Sequence, residues 1–324
     1  ALAQGISPDF IEKPGGKSAM HLAASCGHVE VMKCLERYGG SLESQDSSDQ
    51  TALHLAAGSD CCGAVEWLIK HGCDASKRDR HARTPLHLAA WNGCVDAARL
   101  MIDGGADADT LDRDGLAPIH CAARQGHSAV LAMMLDLGID IESEARNGET
   151  PLHVASAYGR LEFMELLLGR GAKTDVVNDK SRTPLHLCAM AGSAPVASAL
   201  ISAGAEVNAQ DMGGATALYL AAFSGHTDVA RTLIASGATV DLSDNGGRTP
   251  LHAACANSRA ATIKLLLDSG ASPSARDNTG CTPKDWATAR GKSMTLELME
   301  ENDGPQTPTP VREKLEASEQ LSLF

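Results

Sequence analysis

Thr84–Gly93 reads TPLHLAAWNG. Its histidine, beside a threonine and just ahead of a tryptophan, is open to two readings: part of a catalytic site, or part of a helix start. Thr84 suits the N-cap of a helix, and Pro85 suits the first helical position, where its missing N–H costs no hydrogen bond. Leu86–Asn92 then forms a short predicted helix. Its Ala89 and Ala90 are small enough to admit a close neighbour, and Gly93 ends it. A second helix, DAARLMIDG from Asp96, sets Ala97, Leu100 and Met101 on one face. Gly105 supplies the left-handed residue that stops it. The polar ADADTLDRDGL, Ala106–Leu116, then suits a turn that projects outward.

The same cap position returns every 33 residues, at Ser18, Thr51, Thr84, Ala117, Thr150, Thr183, Thr216, Thr249 and Thr282. A second series keeps the same step: Gly39, Gly72, Gly105, Gly138, Gly171, Gly204, Gly237 and Gly270. A period of this length without gaps is the signature of a repeat architecture. The expected domains are a lead-in or part of a preceding repeat over 1–17, nine repeats over 18–300, and a Pro-rich linker and tail over 301–324. The ninth repeat is a degenerate cap.

Neither helix of a repeat reaches the roughly 12–15 residues at which an isolated helix is marginal in water, so each requires burial against its neighbours. GETPLHVASAYGRLEFMELLLGRGA, Gly148–Ala172, resembles the ankyrin-repeat pattern closely. The resemblance implies an all-α solenoid of stacked helix-turn-helix repeats with projecting β-turn loops, and a non-catalytic protein-interaction scaffold. It also implies that the recurrent histidine bonds locally, to the threonine and the neighbouring turn.

Composition narrows the function class. Apolar residues make up 43% of the 324 and aromatics only 3%, so the core must rest on Leu, Val, Ile and Ala. A net charge of −13 argues against nucleic acid or anionic lipid as a partner. No apolar run approaches the ~20 residues that span a bilayer, so no membrane insertion is expected. The chain opens ALAQG without a secretion leader, and its ten cysteines lack any CxxC spacing. Together these read as small buried hydrophobes in a reducing, cytoplasmic or nuclear compartment.

Seven of the twelve histidines occupy one slot: His21, His54, His87, His120, His153, His186 and His252. Stacked helices lie about 8–10 Å apart, whereas zinc holds its ligands within about 2 Å, so successive members cannot share an ion. No repeat offers a nucleophile at a fixed offset from this slot. Glycine-rich phosphate loops, GxSxG and HExxH are all missing from the sequence. The reading is therefore of no enzyme, no metal and no cofactor. His28, His127 and His226 recur seven residues further on and are read as structural too. Departures also mark individual repeats. Tyr219 and Asp285 replace the histidine, and Asp60 stands where the first helix usually ends in Gly, which predicts a reshaped loop.

The concave face of such a solenoid predicts the partner surface. Its exposed positions, late in each first helix, include Trp91, Arg124, Tyr158, Met190 and Phe223, and Trp, Tyr and Arg are the types enriched among binding hot spots. At the turn tips KRDRHAR, Lys77–Arg83, contributes Arg80 and Arg83, and Arg113, Arg146 and Arg182 extend the basic rim. Such a rim suits an acidic or phosphorylated segment of a protein or peptide partner. Repeats three to seven are the expected grip, in a monomeric chain. Asn208, in LISAGAEVNAQD, resembles the target of the ankyrin-modifying asparagine hydroxylase. Thr307 and Thr309 precede Pro, as proline-directed kinase sites do. The competing reading is a regulatory or targeting region of a larger enzyme or channel.

Overall fold

A computed structural model describes residues 11–12 and 15–289. The second helix of the ninth repeat, the linker and the tail with Thr307 and Thr309 lie outside the described residues. The described chain forms a short antiparallel ribbon, β1 (Ile11–Glu12) with β2 (Lys17–Ser18), then seventeen helices. They alternate as predicted: α1 Ala19–Ser25, α2 Val29–Arg37, α3 Ala52–Gly58, α4 Cys62–Lys70, α5 Pro85–Asn92, α6 Val95–Asp103, α7 Pro118–Gln125 and α8 Ser128–Asp136. The series continues with α9 Pro151–Ala157, α10 Leu161–Gly169, α11 Pro184–Ala191, α12 Ala194–Ser202, α13 Ala217–Ser224, α14 Thr227–Ala235, α15 Pro250–Ala256, α16 Ala260–Asp268 and α17 Pro283–Ala289. Two compact bodies divide the described residues: one of those up to 155 together with 162–172, the other of 156–161 and 173–289.

Every first helix begins one residue after its expected cap. The cap itself is more elaborate than a threonine alone. Thr84 donates from its hydroxyl to His87 Nδ1 at 2.8 Å and from its backbone N–H to the same nitrogen at 3.1 Å. His87 sits at the third helical position, so the pair forms a capping box in which imidazole replaces the usual carboxylate. With Nδ1 accepting, the proton lies on Nε2, which donates to the Leu116 carbonyl in the next repeat at 3.0 Å. His54, His120, His186 and His252 reach forward in the same way, to Arg83, Glu149, Ala215 and Cys281. Burial holds the imidazoles of His54, His87, His186 and His252 below their ordinary pKa, and that of His120 at about 4. Where Tyr219 replaces the histidine, Thr216 reverts to a plain cap and accepts the Tyr219 N–H at 3.1 Å. In the ninth repeat the Asp285 carboxylate takes the imidazole's place and accepts both donors of Thr282 at 2.9 Å.

Second helices end as the glycine series predicts. Gly105, at φ +87°, donates to Ile102, and Ala106 donates to Met101, both at 2.9 Å; this is the Schellman pattern. The α6 face differs in detail. Ala97, Ala98 and Met101 are buried, whereas Leu100 is only half-buried. The expected reshaping at Asp60 does not occur. Asp60 adopts φ +54° and keeps the left-handed turn that glycine makes elsewhere. Its carboxylate accepts the Ala97 N–H of α6 at 3.0 Å, which offsets the steric cost of the conformation by capping the next repeat.

Within each body the core is thin and built from small residues. Ala56, Ala57, Ala89, Ala90, Ala122 and Ala123 in one body, and Ala221 and Ala222 in the other, are fully buried. Leu86, Met101, Ile119 and Met134 fill the space between helix layers. Each such side chain contributes about 1.5–3 kcal/mol on burial. Five cysteines are buried as expected, but Cys26 and Cys34 are exposed and Cys61, Cys62 and Cys73 are half-buried. Among the described residues no helix is long and apolar enough to cross a membrane.

Candidate partner-binding surface

In the first body, α5 and α7 have the same length and start at equivalent residues, so Trp91 and Arg124 fall at the same height in consecutive repeats. Both were expected to be exposed but are half-buried, because the Arg124 guanidinium lies 5.4 Å from the Trp91 ring centroid, within cation–π range, and each side chain covers part of the other. His127 Nε2 donates to the Trp91 carbonyl at 2.9 Å and anchors the backbone there. The same ladder bond runs from His226 to Met190 in the second body, at 3.0 Å. These bonds give the second histidine slot a structural role. Trp91, Arg124, His81, Arg83, Asp112, Arg113 and Asp114 line one pocket of about 120 Å³. Residues predicted separately for the groove and for the rim therefore converge on one site.

The predicted arginines separate into two kinds. Arg83 is committed: its Nε and Nη2 hold Asp79 Oδ2 at 2.9 and 2.7 Å. Burial pushes the Asp79 carboxyl up, but Arg83 and the turn N–H groups of Arg83 and His81 outweigh it and hold the pKa below the usual range. In the second body Arg182 binds Asp211 at 3.0 Å and touches Met190 Sδ at 3.6 Å. Arg80, Arg113 and Arg146 are instead exposed at the turn tips. Their backbone N–H groups donate to Ser48, His81 and Gly115 of the preceding turns at 3.0, 2.8 and 2.9 Å. That stitching holds three guanidinium stems at one rim.

The second body presents a different surface. Tyr158, Met190 and Phe223 are 46%, 42% and 41% exposed. The sequence reading missed Met212, which is 67% exposed. It occupies the turn-tip slot that holds Arg80, Arg113 and Arg146 in other repeats, and an apolar residue in that register was the available signal. Asn92 and Asn257, beside the predicted strip, are spent on the Gly58 and Phe223 carbonyls at 2.8 and 3.2 Å. Asn208 Oδ1 accepts the Thr239 N–H at 2.8 Å, tying its turn to the next repeat.

Among the described residues one trio of metal-type ligand groups comes together: Asp60, Cys62 and Asp96, with ligand atoms within 4.8 Å of one another. Asp60 already serves there as the cap of α6, and both aspartates are exposed. The buried histidines His54, His87, His186 and His252 point their nitrogens at backbone groups and threonine hydroxyls, an arrangement that fits repeat stacking.

Comparison with known proteins agrees with this geometry. A family model described as ankyrin repeats (3 copies) matches residues 1–79, 62–145, 86–178, 137–211, 209–277 and 236–306. No curated protein matches the chain. The crystal structure of the human ASB11 ankyrin repeat domain is similar at a TM-score of 0.61 and 26% identity, over 69% of this chain and 99% of that one.

Proposed function

Because the chain belongs to the ankyrin-repeat family, whose repeats are generally protein-interaction modules, we propose that it is a non-catalytic scaffold that binds a protein or peptide segment through the exposed ends of its first helices. The observation that carries this reading is the placement of its scarce large side chains. Trp91 with Arg124 in one body, and Tyr158, Met190 and Phe223 in the other, stand at the same strip of the repeat. Apolar side chains there cost solvation in the free protein, and that cost is recovered when a partner covers them. The exposed Arg80, Arg113 and Arg146 steer a partner of acidic character toward the first body. The scaffold works as a monomer in the cytoplasm or nucleus, a setting suited to thiols used as core filling.

Display of protein-derived segments against the purified full chain tests the reading. Enriched segments should lose at least tenfold in affinity on a chain carrying Trp91→Ala, Met190→Ala and Phe223→Ala together. Failure to enrich any segment, or binding undiminished by the triple substitution, would reject it.

A further inference from the structure

We propose that Arg80, Arg113 and Arg146 form a three-rung ladder that binds a polyproline-type segment of a partner protein carrying an acidic residue at every third position. The inference rests on the interaction reading above and specifies its acidic partner. The three arginines fill one slot of consecutive repeats, 33 residues apart, within the first body. That slot holds Ser47 before them and Asp179 after them, so the basic run is three rungs long. All three are exposed, and none makes an ion pair among the described residues. The neighbouring acids are engaged elsewhere. Asp79, just before Arg80, is buried and holds Arg83. Asp112, just before Arg113, is buried and accepts the Leu116 N–H at 2.9 Å, and Asp114 faces Arg124 at 4.0 Å.

The spacing of the rungs selects the conformation of the partner. Each rung's backbone N–H is bonded to the preceding turn, so the rungs keep the step of the stacked helices, about 8–10 Å. The Arg146 stem lies against Gly115, where an added methyl would stand 2.5 Å from its Cβ, and its Nη1 donates to the Arg113 carbonyl at 3.4 Å. That contact lays the side chain along the rim and leaves its other N–H groups to a ligand. Polyproline II advances about 3.1 Å per residue with three residues per turn, so every third side chain falls on one line at steps of about 9 Å. A β-strand instead sends residues three apart to opposite faces, and residues two apart repeat at only about 7 Å. An α-helix matches only at every seventh residue, about 10.5 Å, and needs about fifteen residues to reach all three rungs. Helices also dock through an apolar face, whereas the residues beside the rungs are His81, Asp114 and Asn147. Each carboxylate of a stepped segment meets one guanidinium fork. A dense polyanion would set charge between the rungs, against exposed Asp114 and Glu144 and a net charge of −13.

The probes are three capped, fluorescein-labelled heptapeptides: Glu-Pro-Pro-Glu-Pro-Pro-Glu, its isomer Glu-Glu-Glu-Pro-Pro-Pro-Pro, and Gln-Pro-Pro-Gln-Pro-Pro-Gln. Each is titrated with the full chain at low salt and followed by fluorescence anisotropy. The stepped peptide should bind at least threefold more tightly than its isomer and at least tenfold more tightly than the glutamine peptide. Arg80→Ala, Arg113→Ala and Arg146→Ala should each weaken it by about threefold, the size of one exposed ion pair. Arg99→Ala, at an exposed position on α6 of the same body, should leave it unchanged. Equal binding of the two isomers, or indifference to the three rung substitutions, would overturn the proposal. So would tighter binding of an oligothymidylate of equal charge, which would assign the rim to nucleic acid. If displayed segments bind through Trp91, Met190 and Phe223 while the two isomers bind alike, the ladder falls and the scaffold reading stands. If the stepped peptide meets these criteria yet no displayed segment is ever enriched, the ladder stands and the scaffold reading falls.

Discussion

His87 Nε2 donates to the carbonyl of Leu116, 3.0 Å away in the following repeat, while His87 Nδ1 accepts from both donors of Thr84. One fully buried side chain thus closes its own helix start and joins two repeats. His87→Ala removes the ring from a packed site and leaves the Thr84 N–H and the Leu116 carbonyl without it. A loss of about 2–4 kcal/mol is expected, measured by urea unfolding. Hydrogen exchange should place the increased opening in α5 and the Asp112–Leu116 turn.

The histidine row also sets a pH dependence. The pKa values of His54, His87, His120, His186 and His252 are lowered by burial, so for these groups the unfolded chain binds more protons than the folded one between the two values. Stability is therefore complete above about pH 6.5 and declines as pH falls. For His120, held at about 4, the decline runs from about pH 6.5 to about pH 4 and amounts to about 3 kcal/mol. Urea midpoints followed from pH 7.5 to 4.5 should hold steady down to about pH 6.5 and fall below it. A flat profile would show that these imidazoles titrate alike in the folded and unfolded chains.

Ala82 and Gly115 hold the same turn position in consecutive repeats, at φ +58° and +82°. Ala82 carries the left-handed penalty of about 1–2 kcal/mol, against which glycine loses about 0.5–1 kcal/mol in chain entropy. Ala82→Gly should accordingly raise stability by about 0.5–1 kcal/mol. Gly115→Ala should lower it by more than that, because the added methyl would stand 2.5 Å from Arg146 Cβ. Thermal melts of the two variants should move in opposite directions.

Arg83 and Arg113 separate fold from surface. The Arg83 guanidinium, one-quarter exposed, is paired with an Asp79 side chain that is wholly buried. Arg83→Ala removes the charge that balances that buried carboxylate and leaves it only the turn N–H groups and Gln50, and a loss of about 2–4 kcal/mol is expected. Arg113→Ala, at an exposed tip, should change stability by no more than about 0.5 kcal/mol. Equal losses in chemical denaturation would mean that Arg113 supports the fold.

The 33-residue period was enough to place all nine first helices and the left-handed glycines that end the second helices, and the resemblance to ankyrin repeats implied the local bonding of the histidines. These features depend on bonds within three or four residues and on burial repeated in register, and both leave a mark in one dimension. The sequence did not distinguish Arg83 from Arg113, did not show that Asp60 would hold a glycine's conformation by capping α6, and did not bring Trp91 and Arg124 to one pocket. Arg83 is committed by Asp79, four residues away in a turn whose geometry the letters alone do not give, whereas the other two outcomes rest on contacts between residues 37 and 33 apart, made only when neighbouring repeats stack. For those two, a single repeat, read alone, carries the residues but not the partners that engage them.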